Sequence, residues 1–452
     1  MAKTILIKST SGVRGIVGRG LEPSLAVAYG AAFGTFLKKG TVVVGRDSRP
    51  SGEMFTSAVI AGLTSVGIDV VDIGMVPTPT VEIATAELKA AGGICITASH
   101  NPAEWNALKF FNNTGEFITP AQYRRLDRIL ISNRFAHKPS SGLGRVTVQQ
   151  GWVEKHVDKV LKLKEVNRLA VRRRRLKVVV DAVNGAGSKA LPLLLEKLGV
   201  EVVKLNCAGD GWFVHEPEPI PKNLESLCRA VKKHKADLGM ACDPDADRLA
   251  LVDDKGRPIG EELTLTIAVK EILTKSKGPV VINLSTSKTT ADIARAGGSR
   301  LYFSKVGEAN VVEMMHRRKA TIGGEGNGGV IFPACHAGRD ALVAAALVLT
   351  CLARERKNLS SLVETLPVYY NIKTKAALPN DFTRRLKRFE KGAEKLVGRT
   401  NVDRRDGLRF DFHQGWVQIR SSNTEPIFRL IIETDSEALT TRLLKDVKRF
   451  FK

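Results

Sequence analysis

A chain of 452 residues, 43% hydrophobic and 26% charged, has the make-up of a folded protein of about two to four domains, not of a disordered or fibrous one. Its 70 basic residues outnumber the 47 acidic ones, for a net charge of +23. The six cysteines (Cys95, Cys207, Cys228, Cys242, Cys335, Cys351) stand far apart with no CxxC pair, which argues against a zinc site or a disulfide framework and predicts a cytoplasmic protein.

The N-terminal MAKTILIKSTSGVRG lacks the long apolar stretch of a secretory leader, and none is expected. The first α/β pattern follows: an apolar run TVVVGRDSRPSG, helical periodicity from Glu53 to Ser65, and a second apolar run IDVVDIG. It returns as LKVVVDAVNGAG, a helix from about Ser188 to Leu198 and VEVVKLN, then as GPVVINLSTSK, a helix over Thr289 to Ala296 and SRLYFSK. Continuous apolar strands alternating with helices predict βαβ units in sheets buried on both faces. Three separated copies predict three similar α/β domains with mixed sheets. The apolar run from Ala341 to Ala353 is too short for a membrane span and ordinary for a buried helix, so no membrane partner is expected. From about Lys373 a helix-rich stretch leads to WVQIRSSNTEPIFRLIIET, two strands around a polar loop. This predicts a smaller C-terminal α+β domain. The predicted boundaries are 1–147, 148–252, 253–368 and 369–452.

The basic clusters (Arg124-Arg125, Arg172 to Arg175, Lys232-Lys233, Arg317 to Lys319, Arg384-Arg385, Arg404-Arg405) raise nucleic-acid binding as one explanation of the charge. They are scattered, aromatics make up only 6%, and no helix-turn-helix, zinc-finger or RNP-type motif accompanies them. Solvated helix faces and steering of anionic substrates account for them equally, and no nucleic-acid partner is expected.

Four loops carry groups suited to chemistry. In CITASHNP, Cys95 to Pro102, an apolar strand runs into a loop that exposes Ser99, which alone reads as a turn or cap residue. His100 adjoins it, but neighbours on an extended chain point to opposite sides, so a Ser–His pair cannot be assumed from adjacency. In DPDADR, Asp243 to Arg248, three carboxylates alternate in a tight loop between two apolar strands. That arrangement suits a hard divalent cation better than an acidic surface turn. GGEGNGG, Gly323 to Gly329, offers Glu325 and Asn327 to sugar hydroxyls, and reads as well as a flexible turn. RSSNTEPIFRL places Ser421 to Thr424 between two arginines, either a phosphate nest or a capped turn. A G-x-G-x-x-A match at Gly185 to Ala190 resembles a dinucleotide fingerprint, but the following strand ends at Asn206 instead of an acidic residue, which argues against an oxidoreductase.

Together with GVRG at Gly12 to Gly15 and GRDSR at Gly45 to Arg49, these loops occur in order at domain-sized separations. In that combination the chain resembles the α-D-phosphohexomutase superfamily over essentially its whole length. The resemblance implies that Ser99 carries the transferred phosphoryl group, and that Asp243, Asp245 and Asp247 hold Mg²⁺ with an oxygen of phosphoserine 99. It implies that Glu325 and Asn327 read sugar hydroxyls, and that Arg420, Ser422, Asn423, Thr424 and Arg429 grip the phosphate that is not reacting. Arg14 and Lys109 would lie near the transferred group, Lys109 as general acid/base, with Arg248 binding substrate beside the metal loop. The reaction implied interconverts hexose 6-phosphate and hexose 1-phosphate through a sugar bisphosphate that turns round between two transfers. The protein would be a monomer or homodimer. A basic scaffold or nucleic-acid binder on a mutase-like fold is the non-enzymatic alternative.

Two departures bear on the substrate. Many bacterial relatives read G-E-x-S-G-H in the sugar loop, whereas here Asn327 and Gly329 stand at the Ser and His positions. The GEGNGG form is familiar in a branch assigned to phosphoglucosamine or to mixed phosphomannose and phosphoglucose use. His336 is a candidate to replace the missing histidine, but a lone histidine is more often structural. Glu308 stands where some relatives carry a histidine at the substrate, and an acidic group there would suit an amino sugar, which favours glucosamine phosphate.

Overall fold

The computed structural model describes residues 5–421 and 427–451. Each predicted βαβ unit forms. Strands Thr41–Arg46 and Asp69–Met75 pair in parallel across helix Gly52–Ser65. So do Lys177–Asp181 and Glu201–Leu205 across Gly187–Lys197, and Val280–Asn283 and Leu301–Ser304 across Lys288–Ala296. Antiparallel strands complete each sheet, as Trp105–Phe111 does on Gly92–Ile96 and Leu249–Val252 on Leu238–Cys242. The fold is three α/β domains with mixed sheets and a smaller C-terminal α+β domain.

One continuous apolar core joins the first three sheets. It takes in Val43 and Cys95 from the first, Val178 and Met240 from the second, and Val280 and Ile322 from the third. Its centre is helix Ala341–Glu355, whose residues Ala341 to Ala353 are all buried. The apolar run is therefore a core helix, and among the described residues no helix is long and apolar enough to cross a membrane.

The last sheet differs from expectation at its start. The stretch after Lys373 does not begin with a helix: Tyr370–Ala377 is a strand, paired antiparallel with Ile427–Thr434. Its lysines and exposed residues mask the alternation, and helix Glu437–Arg449 packs against it. Strands Asn401–Asp403 and Leu408–Phe412 also escaped the sequence reading. This domain has its own core around Phe389, Phe410, Phe428 and Ile432. It meets the third domain through polar groups: Ser285 Oγ donates to Gln418 at 2.6 Å, the Lys288 N–H donates to Glu433 at 2.6 Å, and the Val306 N–H donates to Asp406 at 3.0 Å. Lys373 adds ion pairs of 2.8 Å with both Glu261 and Glu262.

A separate core joined by polar contacts behaves as an independent cooperative unit. Phe410→Ala, which empties the centre of the small core, should destabilise the last domain by about 3–5 kcal/mol. Hydrogen exchange should then show faster opening confined to residues beyond about 370. Equal loss of protection in the first three domains would contradict this division.

Candidate active site

The functional loops lie at the carboxyl ends of parallel strands, where a doubly wound sheet leaves its crevice. Ser99 follows strand Gly92–Ile96, the aspartate loop follows Leu238–Cys242, and Glu325 ends Ile322–Glu325. Arg14 and Lys109 sit on the antiparallel pair Gly12–Ile16 and Trp105–Phe111, where Arg14 faces Ala107 and Val13 faces Leu108. Alternation then puts both cations on one face.

Arg49 builds the serine loop. Its fully buried guanidinium donates to four carbonyls of that loop, those of Ser99 (2.6 Å), Asn101 (2.7 Å), Pro102 (2.6 Å) and Trp105 (3.1 Å). Nε donates to Asp47 at 3.0 Å, and Asp47 in turn accepts from Thr97, whose oxygen accepts the Ser99 N–H. This cage holds Ser99 at φ 50°, a left-handed conformation uncommon for serine. The turn also brings His100 Nδ1 to 3.3 Å from Ser99 Oγ, a pairing that adjacency alone left open. Burial and the nearby Arg248 and Arg14 push the His100 pKa well below its usual value, so the ring is neutral.

Ser99 Oγ donates to Asp243 Oδ2 at 2.9 Å, across a sequence separation of 144 residues. Asp243, Asp245 and Asp247 are all buried, with ligand oxygens within 4.8 Å of one another. Lys109 Nζ lies 2.6 Å from Asp245 and 3.6 Å from Asp247. Thr78 donates to the same Asp245 oxygen at 2.6 Å. Burial opposes the Asp245 charge, yet Lys109 and Thr78 hold that carboxyl well below the usual range. Burial, Asp247 and Asp245 push Asp243 up. Burial works against the Lys109 charge too, but Asp245 and Asp247 overcome it and keep the ammonium protonated. Arg14 donates to Asn101 in the serine loop, and burial together with Arg248 lowers its pKa to about 10. Arg248 Nε stands 3.7 Å from Asp247 and 3.9 Å from Asp243.

This donor set fits a hard divalent cation. Asp245 Oδ1 and Asp247 Oδ1 are buried with no hydrogen-bond partner among the described residues, a costly state for carboxylates unless a cation meets them. The dinucleotide-like glycines serve this loop: a Cβ at Gly185 would stand 2.5 Å from Pro244 Cα, and the Ala186 N–H donates to the Pro244 carbonyl at 2.7 Å.

Glu325 accepts from Asn283 (2.7 Å), the Gly307 N–H (2.8 Å) and Arg339 (2.9 Å). Burial raises its pKa, but Arg339 and these donors bring it below the usual value. Asn327 accepts from the Gly329 N–H at 3.1 Å. Arg420 lies directly across the hairpin from Arg429, and Arg420 Nε has no hydrogen-bond partner among the described residues. Facing like charges of this kind suit a bound anion. Ser422, Asn423 and Thr424 lie outside the described residues.

One expectation fails, and His336 takes its structural reading. Glu308 does not present a free carboxylate to a sugar amine, because its oxygens accept from the Arg339 N–H and Nε at 3.0 Å each. His336 does not replace the missing loop histidine. Its ring nitrogens lie 3.1 Å from Glu82 and 3.1 Å from Asp340, where it meets His156 at the junction of three domains. His156, His336 and Asp340 are a second cluster of potential ligands within 4.8 Å, but Asp340 and Thr80 already engage both nitrogens of His156. Thr78 and Arg339 stand in no sequence motif, and Arg49 and His100 stand in motifs that assign them no role. Their distant partners are what make them functional candidates.

Four family models match in succession: Phosphoglucomutase/phosphomannomutase, alpha/beta/alpha domain I over residues 6–137, domain II over 154–256, domain III over 261–370, and the C-terminal domain over 374–450. A phosphoglucomutase/phosphomannomutase of Thermococcus kodakarensis is 38% identical, over 95% of this chain and 94% of its own length. The chain belongs to the phosphoglucomutase/phosphomannomutase family. A probable phosphoglucosamine mutase of Methanopyrus kandleri is 36% identical over 95% of this chain and 94% of its own. Among solved structures, a phosphoglucomutase/phosphomannomutase family protein of Burkholderia thailandensis matches with a TM-score of 0.86 and 30% identity, over 98% of this chain and 96% of that one. The protein is thus a phosphohexomutase, an intramolecular phosphotransferase, and the scaffold alternative falls.

Burial opposes the His336 charge, but Asp340 and Glu82 raise its pKa to about 10. A pKa raised from the ordinary 6.5 gives stability that is complete below about pH 6.5 and lost as pH rises through about 10. The thermal midpoint should therefore fall between about pH 7 and 10, and His336→Asn should flatten that fall. Parallel curves for the two proteins would contradict the assignment.

Proposed function

We propose that the protein interconverts hexose 6-phosphate and hexose 1-phosphate by way of phosphoserine 99 and a sugar bisphosphate, with Mg²⁺ on the aspartate triad. The observation that carries this reading is the Ser99 hydroxyl on Asp243, beside two buried carboxylate oxygens with no hydrogen-bond partner among the described residues. Asp243, Asp245 and Asp247 would hold the ion with an oxygen at Ser99, where it would offset charge on the transferred phosphoryl oxygens. Lys109, kept protonated by Asp245 and Asp247, acts as general acid at the serine oxygen as its bond to phosphorus breaks. That bond is replaced by one from phosphorus to the sugar hydroxyl, whose proton passes to a base; the neutral His100 imidazole is available in the same loop. Arg14 and Arg248 add positive charge around the group in flight.

Arg420 and Arg429, with Ser422, Asn423 and Thr424, grip the distal phosphate, while Glu325 and Asn327 read the hydroxyls. After the first transfer the bisphosphate turns round and Ser99 recovers the other phosphoryl group. The polar junction of the last domain suits the opening this requires. Glucosamine phosphate is the first substrate, in keeping with the name of the Methanopyrus relative. Mixed glucose and mannose phosphate use is the second reading, favoured by the pairing of Glu308 with Arg339 and by the name of the Thermococcus relative.

³¹P NMR of protein primed with glucose 1,6-bisphosphate and Mg²⁺ should show isomeric phosphate forming from glucosamine 6-phosphate, glucose 1-phosphate or mannose 1-phosphate. The fastest reaction names the substrate. Ser99→Ala should lower turnover by about 10⁴-fold or more, and chelation of the ion should abolish it until Mg²⁺ is restored. Full activity in Ser99→Ala would overturn the mechanism.

A further inference from the structure

Gly329 leaves a space in the sugar loop, and another residue fills it. A Cβ at Gly329 would stand 2.3 Å from Arg339 Cδ and 3.0 Å from Arg339 Cγ. The arginine stem therefore occupies the volume that a side chain at 329 would need. Gly329 is not among the glycines with positive φ, so the conflict is steric and not conformational.

The head of Arg339 ends on three carboxylates from three parts of the chain. Nη2 donates to Asp247 Oδ2 at 2.7 Å, Nη1 to Glu325 Oε2 at 2.9 Å and Nε to Glu308 Oε2 at 3.0 Å. The side chain is nearly buried, and its planar fork suits divergent recognition in a way that a lysine ammonium does not. These bonds set two orientations. On Asp247, Oδ2 is engaged by Arg339, which leaves Oδ1 as the oxygen with no hydrogen-bond partner among the described residues, 3.7 Å from Arg248 Nε. On Glu325, Oε1 is held by Asn283 and Gly307 and Oε2 by Arg339, so the carboxylate stays ionised and fixed in the sugar loop.

We propose that Arg339 is a positioning residue that ties the sugar-loop carboxylate Glu325 to the triad carboxylate Asp247, and that it takes the place of the side chain absent at Gly329. Gly329 and Arg339 are then one device: the glycine exists so that the arginine can pass. The inference rests on the phosphohexomutase site assigned above, and it deepens that assignment by naming the group that couples sugar recognition to the phosphoryl-transfer loop.

A double-mutant cycle in the full-length protein tests it, with Gly329→Ala, Arg339→Ala and the double variant compared by thermal midpoint. Gly329→Ala should lower the midpoint clearly when Arg339 is present and barely when it is replaced, because the methyl group then enters vacated space. Equal drops in both backgrounds would overturn the pairing.

Arg339→Lys keeps the charge and loses the fork, so it serves for function and also stands in should Arg339→Ala fail to fold. It should raise the KM for the preferred hexose phosphate, and the Kd measured by calorimetry, about tenfold or more, with a smaller change in kcat. Unchanged KM, Kd and kcat in folded Arg339→Lys, with the wild type active, would overturn the positioning role and leave the phosphohexomutase site intact. A wild type that binds hexose phosphates without turnover would fail the mechanism instead, and the calorimetric arm would still decide on Arg339. A wild type that neither binds nor turns over any hexose phosphate would overturn both.

Discussion

Three carboxylates held within 4.8 Å in a buried loop repel one another, and the fold is arranged around that repulsion. The neutralising groups come from separate domains. Lys109 reaches in from the first sheet, Arg248 from the aspartate loop itself, and Arg339 from the end of the third sheet. Removing one partner from a buried pair of this kind strands a charge and costs about 3–5 kcal/mol, so each domain's cation is required by carboxylates it does not itself supply, or supplies only in part. Ser99 joins the same cluster through Asp243. A site that needs all three domains to balance its charge exists only in the assembled molecule.

The last domain stands outside this constraint. Its core is its own, and its contacts with the third domain are hydrogen bonds and ion pairs that water can replace at modest cost. That asymmetry suits a reaction whose intermediate has to turn between two half-reactions. On the proposed mechanism the three domains that share one core would keep the serine, the triad and the sugar loop in register, while the arginine hairpin of the fourth would part from them.

Much of this was legible in the sequence because local pattern sufficed. Runs of three valines such as Val42 to Val44 and Val178 to Val180, β-branched and bounded by Gly- and Asn-rich turns, read as buried strands. The polar loops at their ends had nowhere to go but the crevice. What stayed hidden depended on pairings across long sequence distances. Arg49 looks like any charged loop residue until the carbonyls of Ser99 to Trp105 close around it. Arg339 sits in PACHAGRDAL with no motif of its own, and its role appears only when Gly329 and Glu308 are brought beside it. The approach of His100 to Ser99 does not follow from adjacency, because the left-handed turn at Ser99 is held by that arginine cage, which no local rule foretells. Strand Tyr370–Ala377 was missed because its partner lies more than fifty residues later.

The central claim is that the charge-balanced triad makes Ser99 a phosphoryl carrier. Its most direct test is peptide mass spectrometry after the Mg²⁺-loaded protein is mixed with glucose 1,6-bisphosphate. The account predicts a single phosphoryl group on the peptide bearing Ser99, removed again on addition of the preferred hexose phosphate. A phosphoryl group on another residue, or none on any, would contradict it.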